Sequence, residues 1–351
     1  MPHPQTSRRR DWWRGALALP ALGAAACVAS AEYWPDLPFL GPVARMSESA
    51  APHLAVLTLV LCLLIAALGG RRFALCVALA TAVGLGSGAI RHLQRAAPLH
   101  PGAEPVMQLL WYNMLHTNPL SPARLVEALA ASPADVIVLT EATPLQGSRA
   151  LLETRFPVVL GCGGRRCDIM ILLRDPAIGA QLLRMPSTGT ERLAALRLPL
   201  PDGEELHVAA VHMLKPWYYG LSASDQWMVT HQAATAPGPL VVVGDFNAAP
   251  WSKRLRKITT RCGLDAPRRP VATWPARLGG AGIPIDLPLT RGGAVLRSAS
   301  AWGGAALGSN HRGLLLDIGY LPGNGSPPPE GCTVPAALRA PLNLPAAPPG
   351  P

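Results

Sequence analysis

Hydrophobic positions fall into two regimes along the chain. Within the first hundred residues they form three long runs, at 13–31, 51–69 and 73–90, with no charge in their interiors beyond Arg14 at the start of the first. Each approaches the ~20 residues that a helix needs to cross the hydrocarbon core of a bilayer. The pattern predicts about three transmembrane helices, and the Ala and Gly content of the third suits close helix packing in lipid. Residues 92–105 read as a linker with Pro and His. From Val106 onward, short apolar runs alternate with turns. Strands are expected at 106–112, 135–139, 169–173, 193–198, 207–211, 240–243 and 314–318. Ser121-Pro122 predicts a helix start, an N-cap serine with proline at the first helical position. Leu125, Val126 and Leu129 supply its apolar face. A second helix is expected over 225–235. Strands outnumber helices, and many neighbours are close enough for hairpins. Residues 106–320 therefore read as a mixed α/β layered sandwich rather than a purely parallel sheet. Residues 321–351, rich in Pro, Ala and Gly, read as a disordered or extended tail.

Composition reinforces the membrane reading. Of 351 residues, 49% are hydrophobic and only 15% charged, unlike an ordinary soluble protein. Arg8, Arg9 and Arg10 precede the first run, and Arg71-Arg72 form a tight turn between the second and third, so both mark the cytoplasmic side. The third run then delivers everything after residue 91 to the far side. The Ala/Arg/Pro bias suggests a GC-rich genome, and in a bacterium this topology means a multi-pass protein of the inner (cell) membrane with a periplasmic or extracellular domain. The first run has a second reading, because a basic start followed by Ala29-Ser30-Ala31 also fits a cleavable secretory signal. Both readings give the same topology. The formal charge of +10 sits largely in these signals and in residues 91–95. Such charge attracts anionic lipid headgroups and also nucleic acid.

Of the seven cysteines, Cys27, Cys62 and Cys76 lie in the apolar runs as small fillers. Cys162 and Cys167 can close a disulfide in an oxidising compartment. Their spacing is not a zinc pattern, since no second cysteine or histidine pair answers it. Cys262 and Cys332 either pair or remain free.

Leu240-Val241-Val242-Val243-Gly244-Asp245-Phe246-Asn247 is the most informative stretch. The apolar run reads as a buried strand, and Gly244 is expected to permit a sharp backbone exit. An acid and an amide at a strand end suit an oxygen-ligand site for a hard cation and its phosphate ester. The plainer reading is a strand followed by an Asx turn. The arrangement recurs: Asn113, Glu141 and His212 each follow a strand, Asp286 ends Ile283-Pro284-Ile285-Asp286, and Asn310 and His311 precede the last strand. Ligands in layered α/β folds collect where strand ends and loops converge.

Trp111-Tyr112-Asn113, Leu139-Thr140-Glu141, His212 with Met213-Leu214-Lys215-Pro216, Gly244-Asp245-Phe246-Asn247, Ile285-Asp286 and Gly308-Ser309-Asn310-His311-Arg312-Gly313 come in a telling order and spacing. Over about residues 106–320 that order resembles the endonuclease/exonuclease/phosphatase (DNase I-like) superfamily. Membrane-tethered bacterial members with Asn-x-Leu-His-Thr-Asn after the first strand, as at 113–118 here, look most similar. The resemblance implies a four-layer α/β sandwich that hydrolyses phosphoesters with Mg²⁺ or Mn²⁺. It implies Glu141 as the principal metal ligand, with Asn113 and Asn310 beside it. Asp245 and Asn247 would orient the attacking water and the phosphate. His311, held by Asp286, would be a base or phosphate-binding group, and His212 would contact the phosphate and assist the leaving oxygen. His116, Lys215 and Arg312 are further substrate-binding candidates. Two positions depart from the family pattern: Asn310 stands where Asp is usual, and Leu287 where His is usual. An amide at 310 lacks the negative charge that helps bind metal or activate water.

These readings predict a membrane-anchored phosphoester hydrolase acting outside the cytoplasm, with the lipid bilayer as its partner. A phospholipid or lipid-linked phosphate is the favoured substrate and extracellular nucleic acid the competing one. A degenerate domain that binds without cleaving is the alternative from another class. Trp217-Tyr218-Tyr219 reads as core, as a substrate platform or as a contact with the bilayer surface. Lys253-Arg254-Leu255-Arg256-Lys257 reads as an exposed helix face or a receiver of anionic substrate.

Overall fold

The long apolar runs are helical in the computed structural model, which describes residues 4–162, 167–185, 188–220, 222–323 and 327–334. The chain divides into two units: residues up to Gln94 with Trp251–Arg254, and the rest from Arg95. The first unit holds α1 (Pro4–Ser30), α2 (Leu40–Ser49), α3 (Ala51–Ala67) and α4 (Arg71–Leu93). Two helical stretches, Arg8–Tyr33 and Arg71–Leu93, are long and apolar enough to cross a membrane. The expected middle span differs: α3 qualifies only together with α2, from which it is bent by 83°. Small side chains allow close packing here, since Ala21, Ala25, Cys62 and Ala74 are buried against one another. A Cβ on Gly84 would stand 2.6 Å from the Ala29 Cα, so α1 and α4 meet there more closely than a larger residue permits.

The second unit is built on two sheets. Its elements are β1 (Ala96–Ala97), β2 (Glu104–Asn113), α5 (Pro122–Ala130), β3 (Val136–Thr140), α6 (Arg149–Glu153), β4 (Val158–Gly161), β5 (Met170–Leu173), β6 (Gly179–Arg184), β7 (Glu191–Pro199) and β8 (Glu205–His212). Then follow α7 (Ser222–Thr235), β9 (Leu240–Asp245), α8 (Lys253–Cys262), β10 (Ala266–Pro267), β11 (Asp286–Arg291), β12 (Ala294–Trp302) and β13 (Gly313–Tyr320). One sheet has the order β11-β9-β8-β7-β6, the other β12-β13-β2-β3-β5-β4, and β1 pairs with β10.

Alternation along the strands sets the layers. Met107, Leu109 and Trp111 of β2 face Val208 and Ala210 of β8 and Val241 and Val243 of β9 in the core between the sheets. The outer face of the five-stranded sheet packs under Met228 and Val229 of α7 and Leu255 and Ile258 of α8. The outer face of the six-stranded sheet packs under Leu125, Val126 and Leu129 of α5 and Leu152 of α6. The result is the expected four-layer α/β sandwich. Ser121 precedes α5 as expected, with Pro122 in its first turn, but its side chain makes no capping hydrogen bond.

Two local expectations change. Gly244 does not form the exit from its strand: it is inside β9, where a Cβ would stand 1.9 Å from the Val211 carbonyl oxygen. Close approach of β8 requires the glycine, and the left-handed turn residue is Asn247 (φ 49°). The carboxy-terminal tail is anchored at its start, because buried Cys332 is disulfide-bonded to Cys262. The rest of the expected tail, 335–351, lies outside the described residues. Cys162 and Cys167 form a second disulfide.

Candidate active site

Strand register gathers the predicted residues at one edge. His212 of β8 pairs in register with Asp245 of β9, and Asp245 pairs with Asp286 of β11. In the facing sheet Asn113 of β2 pairs with Thr140 of β3, next to Glu141. Each continues an inward-facing core row by one step: Asn113 follows Met107, Leu109 and Trp111, His212 follows Val208 and Ala210, and Asp245 follows Val241 and Val243. The site is thus the polar cap of the inter-sheet core. Glu141 (φ 50°) and Asn247 (φ 49°) adopt the left-handed conformation, rare outside glycine, immediately beyond β3 and two residues past β9. Such strain persists where surrounding structure over-determines it, often at functional sites.

The side chains form one network. The Asn113 amide nitrogen donates to Glu141 Oε1 at 3.3 Å and to Asp245 Oδ2 at 3.2 Å. The Asn247 backbone N–H donates to Asp245 Oδ1 at 2.8 Å, and its amide nitrogen to the Met213 carbonyl at 2.8 Å. Phe246, fully buried, anchors that turn, its N–H donating to the Ile285 carbonyl at 3.0 Å. His311 Nδ1 lies 2.8 Å from Asp286 Oδ2, and Trp111 Nε1 donates to Asp286 Oδ1 at 2.9 Å. Ser309 ties that loop down, its hydroxyl donating to the Asn113 carbonyl at 2.7 Å. Glu141 Oε2 accepts from the His116 backbone N–H at 3.1 Å and lies 2.9 Å from His116 Nδ1, while Lys215 Nζ stands 4.0 Å from Oε1.

Asp168 and Arg192 belong to the site although the sequence reading passed over them. Asp168 Oδ1 lies 2.7 Å from His212 Nδ1 and accepts from the Thr140 hydroxyl at 2.8 Å. Asp168 Oδ2 makes an ion pair with buried Arg192 at 2.8 Å. The register of β3 with β5 brings Asp168 beside Glu141, and that pairing carries no signature in a single sequence. These residues, with Thr143, Gln146, Thr188 and Thr190, line an open cleft of about 450 Å³.

Charge in the site is sharply sorted. Burial works against ionisation of Glu141, but hydrogen bonds from His116 and the charges of His212 and Lys215 prevail and hold it at about 2. Asp168 is likewise held well below the carboxylate range, as the His212 and Arg192 charges outweigh burial. Burial, reinforced by the charge of Asp286, pushes Asp245 up. Burial alone would depress His311, yet Asp286, Asp245 and Glu141 lift it to about 9, so it is a cation at neutral pH.

These residues match a known pattern. The sequence model of the Endonuclease/Exonuclease/phosphatase family matches residues 110–311, more than half of the 351. The chain belongs to this family. It is accordingly a metal-dependent phosphoric ester hydrolase of the endonuclease/exonuclease/phosphatase type. No curated protein sequence matches the chain. Solved structures similar to it include an endonuclease/exonuclease/phosphatase from Beutenbergia cavernae DSM 12333 (15% identity, 62% of this chain and 72% of that one, TM-score 0.47). A humanized D. rerio TDP2 with 14 mutations is also similar (15% identity, 60% and 98%, TM-score 0.49). So is the Bacteroides thetaiotaomicron VPI-5482 mannosyl-6-phosphatase Bt3783 (11% identity, 61% and 100%, TM-score 0.44).

The donor set fits the divalent cation of this endonuclease/exonuclease/phosphatase family. Asp245, Asp286 and His311 offer ligand atoms within 4.8 Å of one another, and all three are buried. Every carboxylate oxygen of Glu141, Asp245 and Asp286 already faces a hydrogen-bond partner, and Glu141 and Asp245 share the Asn113 amide nitrogen, so a hard ion held between those two would displace that contact. Asn113 offers its amide oxygen only by turning over, because that oxygen accepts from the Leu115 N–H at 3.0 Å. His212 Nε2 is buried without a hydrogen-bond partner and lies 3.9 Å from both Glu141 Oε1 and Asp245 Oδ2. Two predicted residues stand outside this network. Asn310 is exposed, and among the described residues only its backbone carbonyl is bonded, accepting from Ala276. Arg312 turns to the Ala272 carbonyl at 3.1 Å. The other family departure, Leu287, is buried in the outer core under α7 and α8, on the face opposite Asp286.

Proposed function

We propose that the protein is a membrane-anchored, multi-pass phosphoester hydrolase of the bacterial inner membrane, acting outside the cytoplasm on a phosphodiester or phosphomonoester with Mg²⁺ or Mn²⁺. The convergence of Asn113, Glu141, His212, Asp245, Asp286 and His311 at one end of the two facing sheets carries the reading. Glu141 and Asn113 are the proposed cation ligands, with Asn310 as the peripheral candidate. When bound, the cation neutralises phosphate charge and lowers the pKa of water. Asp245, raised by burial, is suited to accept the proton of the attacking water, and Asn247 fixes its orientation. His311, cationic and held by Asp286, binds a phosphate oxygen. His212, with Nδ1 engaged by Asp168, presents Nε2 to the leaving oxygen. Lys215 and His116 complete the proposed substrate rim, and Arg312 would join it only on releasing the Ala272 carbonyl.

Two disulfides support an oxidising, extracytoplasmic location, as do the arginines flanking the apolar helices. Anchoring favours a phospholipid or lipid-linked phosphate, and extracellular nucleic acid is the competing substrate. The test is a panel of lipid phosphoesters, phosphomonoesters and plasmid DNA, with wild type beside Asp245→Ala and His311→Ala. Turnover lost in both variants supports the reading, and turnover indifferent to them overturns it. Cleavage of DNA with steep salt dependence would select the nuclease. Asn310 favours a second reading, binding without turnover. In a calorimetric Mg²⁺ titration, binding abolished by Glu141→Ala favours the enzyme, and absence of Mg²⁺ binding would select this second reading.

A further inference from the structure

Two loops leave the active edge, one following His212 and the other leading into Asp286. Among the described residues from Arg95 onward, seven large hydrophobic side chains are exposed, and five belong to these two loops. They are Trp217 (52%), Tyr218 (45%), Tyr219 (47%), Trp274 (37%) and Leu278 (47%). The core reading of Trp217-Tyr218-Tyr219 is thereby excluded. Single exposed apolar residues are ordinary, whereas a set concentrated around one site marks an interaction surface. Residues 213–221 and 273–285 contain no Asp or Glu, and their only formal charges are Lys215 and Arg277. Lys215 Nζ stands 5.6 Å from the centre of the Trp217 ring. The rim of the site is therefore aromatic and cationic.

This chemistry fits a membrane surface better than a strand of bases. Trp and Tyr favour the interfacial zone of a bilayer, with the ring in apolar surroundings and the polar tip in water. Lys and Arg there attract anionic headgroups. A base-stacking platform needs open ring faces, yet a Trp217 face carries Lys215 and Leu278 offers no ring. A bilayer is also at hand, since the same chain has two or three helices apolar enough to cross one. We infer that the rim formed by Trp217, Tyr218, Tyr219, Trp274 and Leu278 docks on the headgroup region of a phospholipid bilayer containing anionic lipid. Docking opens the cleft toward headgroup phosphates. That consequence rests on the proposed function, but the docking itself requires no turnover.

The experiment uses the full chain in nanodiscs of phosphatidylcholine and phosphatidylglycerol, with plain or brominated acyl chains. The emission of Trp217 is the difference between wild type and Trp217→Phe. Brominated lipid is expected to quench most of that difference, and equal emission in the two lipids would overturn the inference. The double variant Tyr219→Ser/Leu278→Ser should lose much of the quenching while hydrolysing soluble bis(4-nitrophenyl) phosphate with Mg²⁺ at the wild-type rate. Undiminished quenching in that variant would also overturn it. The soluble ester separates the two failures. Quenching without hydrolysis leaves docking standing and sinks the proposed activity, and hydrolysis without quenching does the reverse.

Discussion

Replacing Asp168 by Asn keeps a shape and removes a charge. Asp168 Oδ1 serves both His212 Nδ1 at 2.7 Å and the Thr140 hydroxyl at 2.8 Å, while Oδ2 stands 2.8 Å from Arg192 Nε. An amide turns one of these acceptors into a donor. With its oxygen toward His212, the NH₂ group faces the buried guanidinium; turned over, it faces His212 and Thr140. Either way a buried donor loses its acceptor, and Arg192 loses its counter-charge. Breaking one side of a buried ion pair costs roughly 3–5 kcal/mol. Asp168 retains 19% side-chain exposure, so the lower end applies. About 3 kcal/mol corresponds to a fall in Tm of roughly 6–12 °C for a unit of this size. Loss of an aligned acid–base group lowers kcat by about 10²–10⁴. The assay pairs thermal unfolding of the detergent-solubilised full chain with turnover of a soluble phosphodiester, where kcat should fall with KM little changed. Unchanged Tm and unchanged kcat would refute the assignment of Asp168 as the residue that aligns His212.

Gly244→Ala should lower both Tm and activity, since its Cβ would meet the Val211 oxygen at 1.9 Å. Overpacking of this kind costs about 1–3 kcal/mol, and a wild-type melting curve would contradict the close approach. Arg291→Met removes donors to the Cys262, Ala233 and Ala236 carbonyls at 3.1, 3.0 and 2.8 Å, so stability should drop by at least ~2 kcal/mol with kcat intact. Chelation of divalent ions should abolish turnover and Mg²⁺ or Mn²⁺ restore it, with Glu141→Gln needing far more metal. His311 is raised from 6.5 to about 9, so its protonation stabilises the metal-free fold, fully so below about 6.5. That contribution, on the order of 3 kcal/mol, disappears as pH rises through about 9. The chelated protein's Tm should decline between those values, and a His311→Gln variant should show a flatter profile.

The catalytic edge was legible because its polar residues extend core rows by one step. Asn113 after Leu109 and Trp111, or Asp245 after Val241 and Val243, breaks an apolar pattern where a plain strand would end in a turn residue. The strands with apolar interiors were legible for the same reason. Apart from the short β1–β10 pair, the strands that were not, β4, β6, β11 and β12, are the edges of the two large sheets. Two causes hid them: β6 is Gly-Ala-Gln-Leu-Leu-Arg with no buried residue, whereas the fully buried β11 is interrupted by Pro288, which an edge strand tolerates. Asp168 escaped for another reason. It precedes Ile169 like any solvated acid at a strand start, and only the antiparallel pairing of β5 with β3 reveals its partners. The apolar run at 51–69 marked α3 alone, because α2 before it carries Arg45, Ser47, Glu48 and Ser49 and so shows no continuing apolar pattern.

His212, Asp245 and Asp286 stand on consecutive strands of one ladder, so their separation is fixed by the ~4.8 Å interstrand repeat rather than by any connecting segment. Backbone pairing acts as a ruler that mutation of side chains cannot stretch. Lengthening, trimming or repopulating the connecting segments would change which ester reaches the cleft and leave the gauge of the reacting groups as it is.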